Sequence, residues 1–537
     1  MQDKFRIYIT SVLIGIFLCS VGLGSAYALY KQRGRLKGIA KKYAKLARAK
    51  TKAKSVGQKK VLEEKDTVRG AIKIYVDPRK EIATVSNLLY GSNLAPQAES
   101  EPDIIQFAKN IGISCFRFPG NGSSGYHWQT GKSDFISRCD NAPLSRIDYL
   151  VKFCQATNTK LIIQVNVESG TADEAAGWVK YMNQELNFPV EYWQLGDEVY
   201  GDWDKGYMSA DKYAQVIKEY ATAMKKVDPQ IKIGMDWAPQ IDEKFNIAVI
   251  KKAGRYIDFV AVHWYPNHVD TSHRYRGRIH PTPNEVMANY LQIPLIVKRV
   301  QDIVAKHASR KKGKIEVTFM GWDGAWDGPN SDMYPYSQGI LQWSLANAIF
   351  HADSLGQFAQ NGVSVSAQYL FQDINFGLIR GWDKDSGWGG QRWDGETIRP
   401  KALAIKLFSK HFGDVVIDSK VENFPYYYKE SDWWADSYTG KVPYVSCYAS
   451  KSTQKNTISL VLINKHAEKE YKVNVAMKSV EPKQGAQIFV LSGPSLYAQN
   501  EGKPGNVRIR EYQLPKIDRN FSYNLPAHSV NVFEISL

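Results

Sequence analysis

The sequence predicts an α/β protein: a (β/α)8 barrel of the TIM type over residues 87–414, followed by a β-sandwich over 415–537, with an N-terminal membrane-spanning or signal helix. Three observations carry that expectation. Eight short apolar, β-branched or aromatic runs alternate with helix-like runs between Asn87 and Asp414. Beyond Asp414 only strand-like runs remain. From Ile7 to Tyr30 there is no charged residue, which is long enough to cross a bilayer.

The elements follow in order. Lys4 and Arg6, the apolar run and Ala26-Tyr27-Ala28 also fit a cleaved signal peptide, so 1–30 reads as signal or anchor. The basic residues after it would, on a strict positive-inside reading, leave the C-terminal bulk cytoplasmic. The secreted-enzyme character of that bulk instead points to an extracytoplasmic protein, anchored or secreted. Residues 31–69 form a basic helical or tether segment. Leu36, Ile39, Tyr43 and Leu46 fall on one helical face, so 31–56 suits anionic lipid, a protein partner, or no partner at all as a solvated tether.

The formal charge of the chain is +16, but residues 31–69 hold 15 Lys and Arg against three acids, a net of +12. Residues before Lys31 add +1, leaving +3 from Gly70 onward. The globular part is nearly neutral, which argues against nucleic acid as a partner. Five cysteines without a CxxC pair argue against a zinc ribbon, and neither a metal cluster nor a cofactor motif is visible. Residues 70–86, with "AIKIYVDP", form a candidate strand of the later sandwich. The barrel strands read "NLLYGSN", "CFRFPG", "KLIIQVNV", "EYWQLGDE", "KIGMDW", "IDFVAVHWY", "KIEVTFMGW" and "VSVSAQYLF". No GxGxxG follows the first, which disfavours a doubly wound open sheet.

Polar residues at the C-terminal ends of barrel strands are the catalytic candidates. These are Asn93 on strand one, Arg117 on two, Asp197 and Glu198 on four, His263 and Tyr265 on six, and Gly321, Trp322 and Asp323 on seven. Each is structural in isolation as often as not; their arrival at one rim favours a site. A loop after strand eight, "GLIRGWDKDSGWGGQRWDGETIRP", holds Trp388 among glycines and charges. It suits stacking on a glycan ring, docking on a subunit, or packing on its own aromatics.

These residues carry a resemblance. "YWQLGDEVYGDW", "FRFPGNGSSGYHW", "IDFVAVHWY", "RPKALAIKLFSKHFGD" and the tail "LSGPSLYAQNEGKPGNV … YNLPAHSVNVFEI" are similar to the α-L-arabinofuranosidases of glycoside hydrolase family fifty-one, from about Gly70 to the C-terminus. The resemblance implies a glycosidase of clan A acting on a polysaccharide or oligosaccharide, with Glu198 as general acid/base; Asn93, Arg117, Asp197, His263, Tyr265 and Trp322 are the substrate-binding candidates at the rim, and Trp388 joins them from the loop. A carboxylic acid among Trp and Tyr keeps a proton to donate. The chain departs from the pattern twice. Asp197 stands where the family has Asn, and Gly321 stands at the nucleophile. Glycoside hydrolysis ordinarily needs two carboxylates. Alternation along a strand places 321 and 323 on one face if the strand continues, making Asp323 the candidate second acid, with Asp327 and Asp332 in the loop beyond. Three readings stay open: a hydrolase with an atypical second acid, an inactive glycan-binding module, or a structural subunit of a membrane or envelope assembly.

Overall fold

A computed structural model describes residues 70–537 apart from 121–124, 136–138, 203–204, 239–241, 268–280, 309–313, 326–340, 382–392, 431–436 and 484. The expected signal or anchor and basic segment, together with Trp388, Asp327 and Asp332, lie outside these residues. No helix among the described residues is long and apolar enough to cross a membrane.

Eight parallel strands close into a barrel: Gly91–Asn93, Cys115–Phe118, Lys160–Val165, Tyr192–Leu195, Lys232–Trp237, Phe259–Trp264, Glu316–Trp322 and Val365–Gln368, numbered one to eight below. Strand eight pairs with strand one at Ala367–Gly91 and Gln368–Ser92, completing the ring. Such strands are covered on both faces, which is why they read as almost unbroken apolar runs.

Helices separate the strands and shield them. Ala210–Val227 shows why the chain folds this way. The Ser209 side chain accepts a hydrogen bond from the Lys212 N–H, capping the first turn. Tyr213, Val216, Ile217, Tyr220 and Met224 recur at spacings of three and four and are buried. Each such side chain contributes about 1.5–3 kcal/mol by leaving water. The chain leaves the helix at Asp228, ahead of Pro229.

The second layer is a nine-stranded sheet curled around its own core. Ile72–Thr84 lies near one end of it, antiparallel to Val415–Glu422 and parallel to Tyr471–Met477. Ile72, Ile74 and Val76 alternate inward, while Lys73 and Tyr75 point out. The inward residues join Ile458, Leu460, Val475, Ile488 and Phe533 in one apolar cluster. Thus the segment before the barrel completes the domain after it.

A buried polar knot joins barrel and sheet. Asp353, on the helix Leu345–Gln360, accepts hydrogen bonds from Ser446 Oγ at 2.5 Å and the Tyr448 hydroxyl at 2.8 Å, and pairs with Lys465 Nζ at 3.0 Å. Neither charged side chain is exposed. With every member satisfied, such a network fixes one relative placement of the two layers.

Candidate active site

The C-terminal mouth of the barrel is organised around Arg117. Its guanidinium donates from Nε to Gln194 Oε1 at 2.8 Å, from one terminal nitrogen to Asn93 Oδ1 at 2.8 Å, and from the other to Asp197 Oδ1 at 2.6 Å. The rigid fork of donors thereby locks strands one, two and four together. Asn93 is fully buried, and its amide donates to the carbonyls of Met320 and Ala367. It ties strand one to strands seven and eight beneath the site. The expectation that Asn93 touches substrate is therefore corrected: it orients Arg117.

Strand four ends in a tight turn at Gly196 and Glu198, both in the left-handed region, with φ of 88° and 50°. For a glutamate this costs about 1–3 kcal/mol, a strain that proteins keep where a side chain must be aimed. Glu198 Oε1 lies 3.0 Å from His263 Nδ1 of strand six. The Glu198 side chain is 28% exposed, against 6% for His263 and 10% for Asp197. Glu198 is thus the acid of this group open to a ligand. Burial pulls the His263 pKa down, but the Glu198 hydrogen bond and the Asp197 charge outweigh it and raise it. Glu198 and Asp197 thus favour the charged imidazole over the neutral one.

Gly321 faces the same space. A Cβ there would stand 2.8 Å from the Tyr265 hydroxyl and within 3.6–3.7 Å of the His263 ring. Glu198 and Gly321 therefore flank His263 at the ends of strands four and seven.

The neighbours of Gly321 turn away. Trp322 points outward, as alternation requires, and packs on Phe350, His351 and Phe358, with its indole N–H donating to Ser366 Oγ. It is not a substrate platform. Strand seven ends at Trp322, so the continuation that would have put Asp323 beside Gly321 does not occur. Asp323 instead turns into the helix layer. One carboxylate oxygen accepts from the Gly324 N–H and Asn347 Nδ2, both at 2.7 Å, and the other pairs with Lys401 Nζ. Asp323 and Lys401 side chains have no exposure. A carboxylate so enclosed cannot reach a sugar, so Asp323 is removed as the second acid.

Two groups were not singled out from the sequence. Asp236, inside strand five, accepts from Gln194 Nε2 at 2.5 Å and from the Val199 N–H at 3.3 Å, directly under the Glu198 turn. Its complete burial pushes the carboxyl up to about 7, against the opposing pull of His263. Gln194 relays between Asp236 and Arg117. The available signal was an acid in the otherwise apolar run "KIGMDW". Among the described residues no group of His, Cys, Asp and Glu could hold a metal ion.

With this geometry in view, the comparisons with known proteins fit together. The C-terminal domain model of α-L-arabinofuranosidases matches residues 394–529. An exo-α-(1→6)-L-arabinofuranosidase of Bifidobacterium longum is 23% identical, over 74% of this chain and 83% of its own. The intracellular exo-α-(1→5)-L-arabinofuranosidase 1 of Bacillus subtilis is 22% identical, over 81% and 93%. The crystal structure of the α-L-arabinofuranosidase from Thermotoga maritima, an arabinose complex, superposes with a TM-score of 0.72 at 23% identity, covering 87% of this chain and all of that one. The chain resembles the family fifty-one α-L-arabinofuranosidases. Barrel, sheet domain and their order all follow that architecture.

Proposed function

We propose that this arabinofuranosidase-like protein binds the end of an arabinose-containing polysaccharide or oligosaccharide at the barrel mouth, and that it has lost efficient hydrolysis. Glu198 stands as the general acid/base, beside His263. The observation that carries the reading is the pair of facts opposite it: position 321 has no side chain, and the nearest downstream acid, Asp323, is sealed against Lys401. A positioned acid by itself contributes about 10²–10⁴-fold. That is far short of what a stable glycosidic bond needs without a second carboxylate to stabilise the oxocarbenium-like transition state. His263, Asp197 and Tyr265, on the frame that Arg117 holds, supply donors and acceptors for sugar hydroxyls.

The test is calorimetric titration with α-1,5- and α-1,6-linked arabino-oligosaccharides. Saturable binding, weakened about tenfold by Glu198→Ala, supports the reading. Absence of binding to these and to other pentose and hexose oligosaccharides removes it.

The apolar run Ile7–Tyr30 supports a membrane-anchored or secreted protein with its barrel outside the cytoplasm, and the +12 segment after it suits anionic lipid or a protein partner. Protease digestion of the barrel on intact cells with a permeable outer layer tests this; full protection would favour a cytoplasmic barrel.

A further inference from the structure

The space opposite Glu198 is occupied. Tyr265 leaves strand six and sends its hydroxyl to where a side chain at 321 would begin, 2.8 Å from the position of a Cβ. Real Cβ atoms essentially never come that close to another heavy atom, so one of the two must move. Tyr265 is not at liberty to swing. Its ring meets Tyr369 edge-on at 6.1 Å and Phe376 at 6.2 Å, and it packs on a small apolar cluster with Ala95 and Leu370. Those residues sit on the segments after strands one and eight, so the ring is wedged between two walls of the mouth.

We infer that Tyr265 takes the place of a second acid opposite Glu198, presenting a neutral hydroxyl to the ligand and excluding any side chain at position 321. The ligand-facing half of this inference rests on the glycan-binding reading above; the exclusion of a side chain does not.

The chemistry is consistent. Burial, followed by Tyr369 and the charges of Glu198 and Asp197, holds the Tyr265 phenol well above its usual range. It meets a ligand as a proton-bearing donor and does not attack an anomeric carbon, because only a phenolate or carboxylate would be nucleophilic enough. One hydroxyl of a bound sugar then accepts from Tyr265 while Glu198 addresses the glycosidic oxygen.

A double-mutant cycle tests the exclusion. Gly321→Ala adds the Cβ alone. In the wild-type background it should lower the melting temperature. In Tyr265→Phe, which deletes the offending oxygen, the same change should be neutral or raise it, since Ala restricts the unfolded chain more than Gly does. Equal effects in both backgrounds overturn the inference. Binding tests the second half: Tyr265→Phe should weaken arabino-oligosaccharide affinity about five- to tenfold, as expected for a lost hydrogen bond, and unchanged affinity overturns it. If wild type binds no glycan, the proposed function fails, while the stability cycle still decides whether Tyr265 blocks position 321.

Discussion

Removing Lys401 separates a structural aspartate from a catalytic one. Lys401→Met leaves the Asp323 carboxylate fully buried without its counter-ion. It also deprives the Phe376 carbonyl of the Lys401 Nζ donor at 2.6 Å. Breaking one half of a buried pair costs about 3–5 kcal/mol, and with both side chains unexposed no solvent screening reduces that figure. Asp323→Asn should cost a similar amount near neutral pH. Its deficit should shrink as pH rises. Burial, chiefly, already lowers the Lys401 pKa, and losing the Asp323 charge lowers it further. The folded state then binds fewer protons than the unfolded one, so stability climbs with pH. The double change Asp323→Asn/Lys401→Met should cost less than either single change, about 1–2 kcal/mol, because only neutral hydrogen bonds are disturbed. Urea unfolding followed by tryptophan fluorescence reads all four corners. If Asp323→Asn leaves stability within about 0.5 kcal/mol of wild type yet abolishes any turnover the protein has, the structural assignment of Asp323 is refuted.

Asp236→Asn should flatten the stability profile between about pH 4 and 7. In wild type the folded state keeps a proton to about 7 that the unfolded chain releases near 4, so stability falls across that window, by up to about 4 kcal/mol. Parallel wild-type and Asn profiles would contradict this. Asp353→Ala should cost about 3–5 kcal/mol by stranding the buried Lys465. It should also expose the boundary between barrel and sheet to limited proteolysis; unchanged resistance would contradict the role of that knot.

Much of the architecture was legible because its physics is local. The eight barrel strands are covered on both faces, so Phe259–Trp264 and Lys160–Val165 stand out as apolar runs. Ile72–Thr84 shows its inward face by simple alternation. The strands Arg508–Leu514 and Asn520–Leu525 gave no such signal, because they form the two margins of the sheet and are mostly exposed and polar. At the site, Arg117, Asp197, Glu198, His263, Tyr265 and Gly321 were legible as strand-end residues and do converge. Asp323 misled because alternation does not continue past a strand that stops at Trp322 and turns at Gly324, whereas Trp322 faces outward as alternation requires and packs on the helix layer. Asn93 looked like a ligand contact, but three carbonyls and the Arg117 guanidinium consume its amide, which only the closed ring reveals. Asp236 was hidden because its partner Gln194 is on the adjacent strand, 42 residues away.

The decisive measurement is turnover of an aryl α-L-arabinofuranoside by the wild-type protein and by Glu198→Gln, at saturating concentration and with glycan binding verified in the same preparation. The account predicts saturable binding in both, with only residual aryl-alcohol release by the wild type and less still in Glu198→Gln. Turnover on the order of 1–10³ s⁻¹, the ordinary range for enzymes, abolished by Glu198→Gln, would mean that an effective second acid is present and that hydrolysis has not been lost.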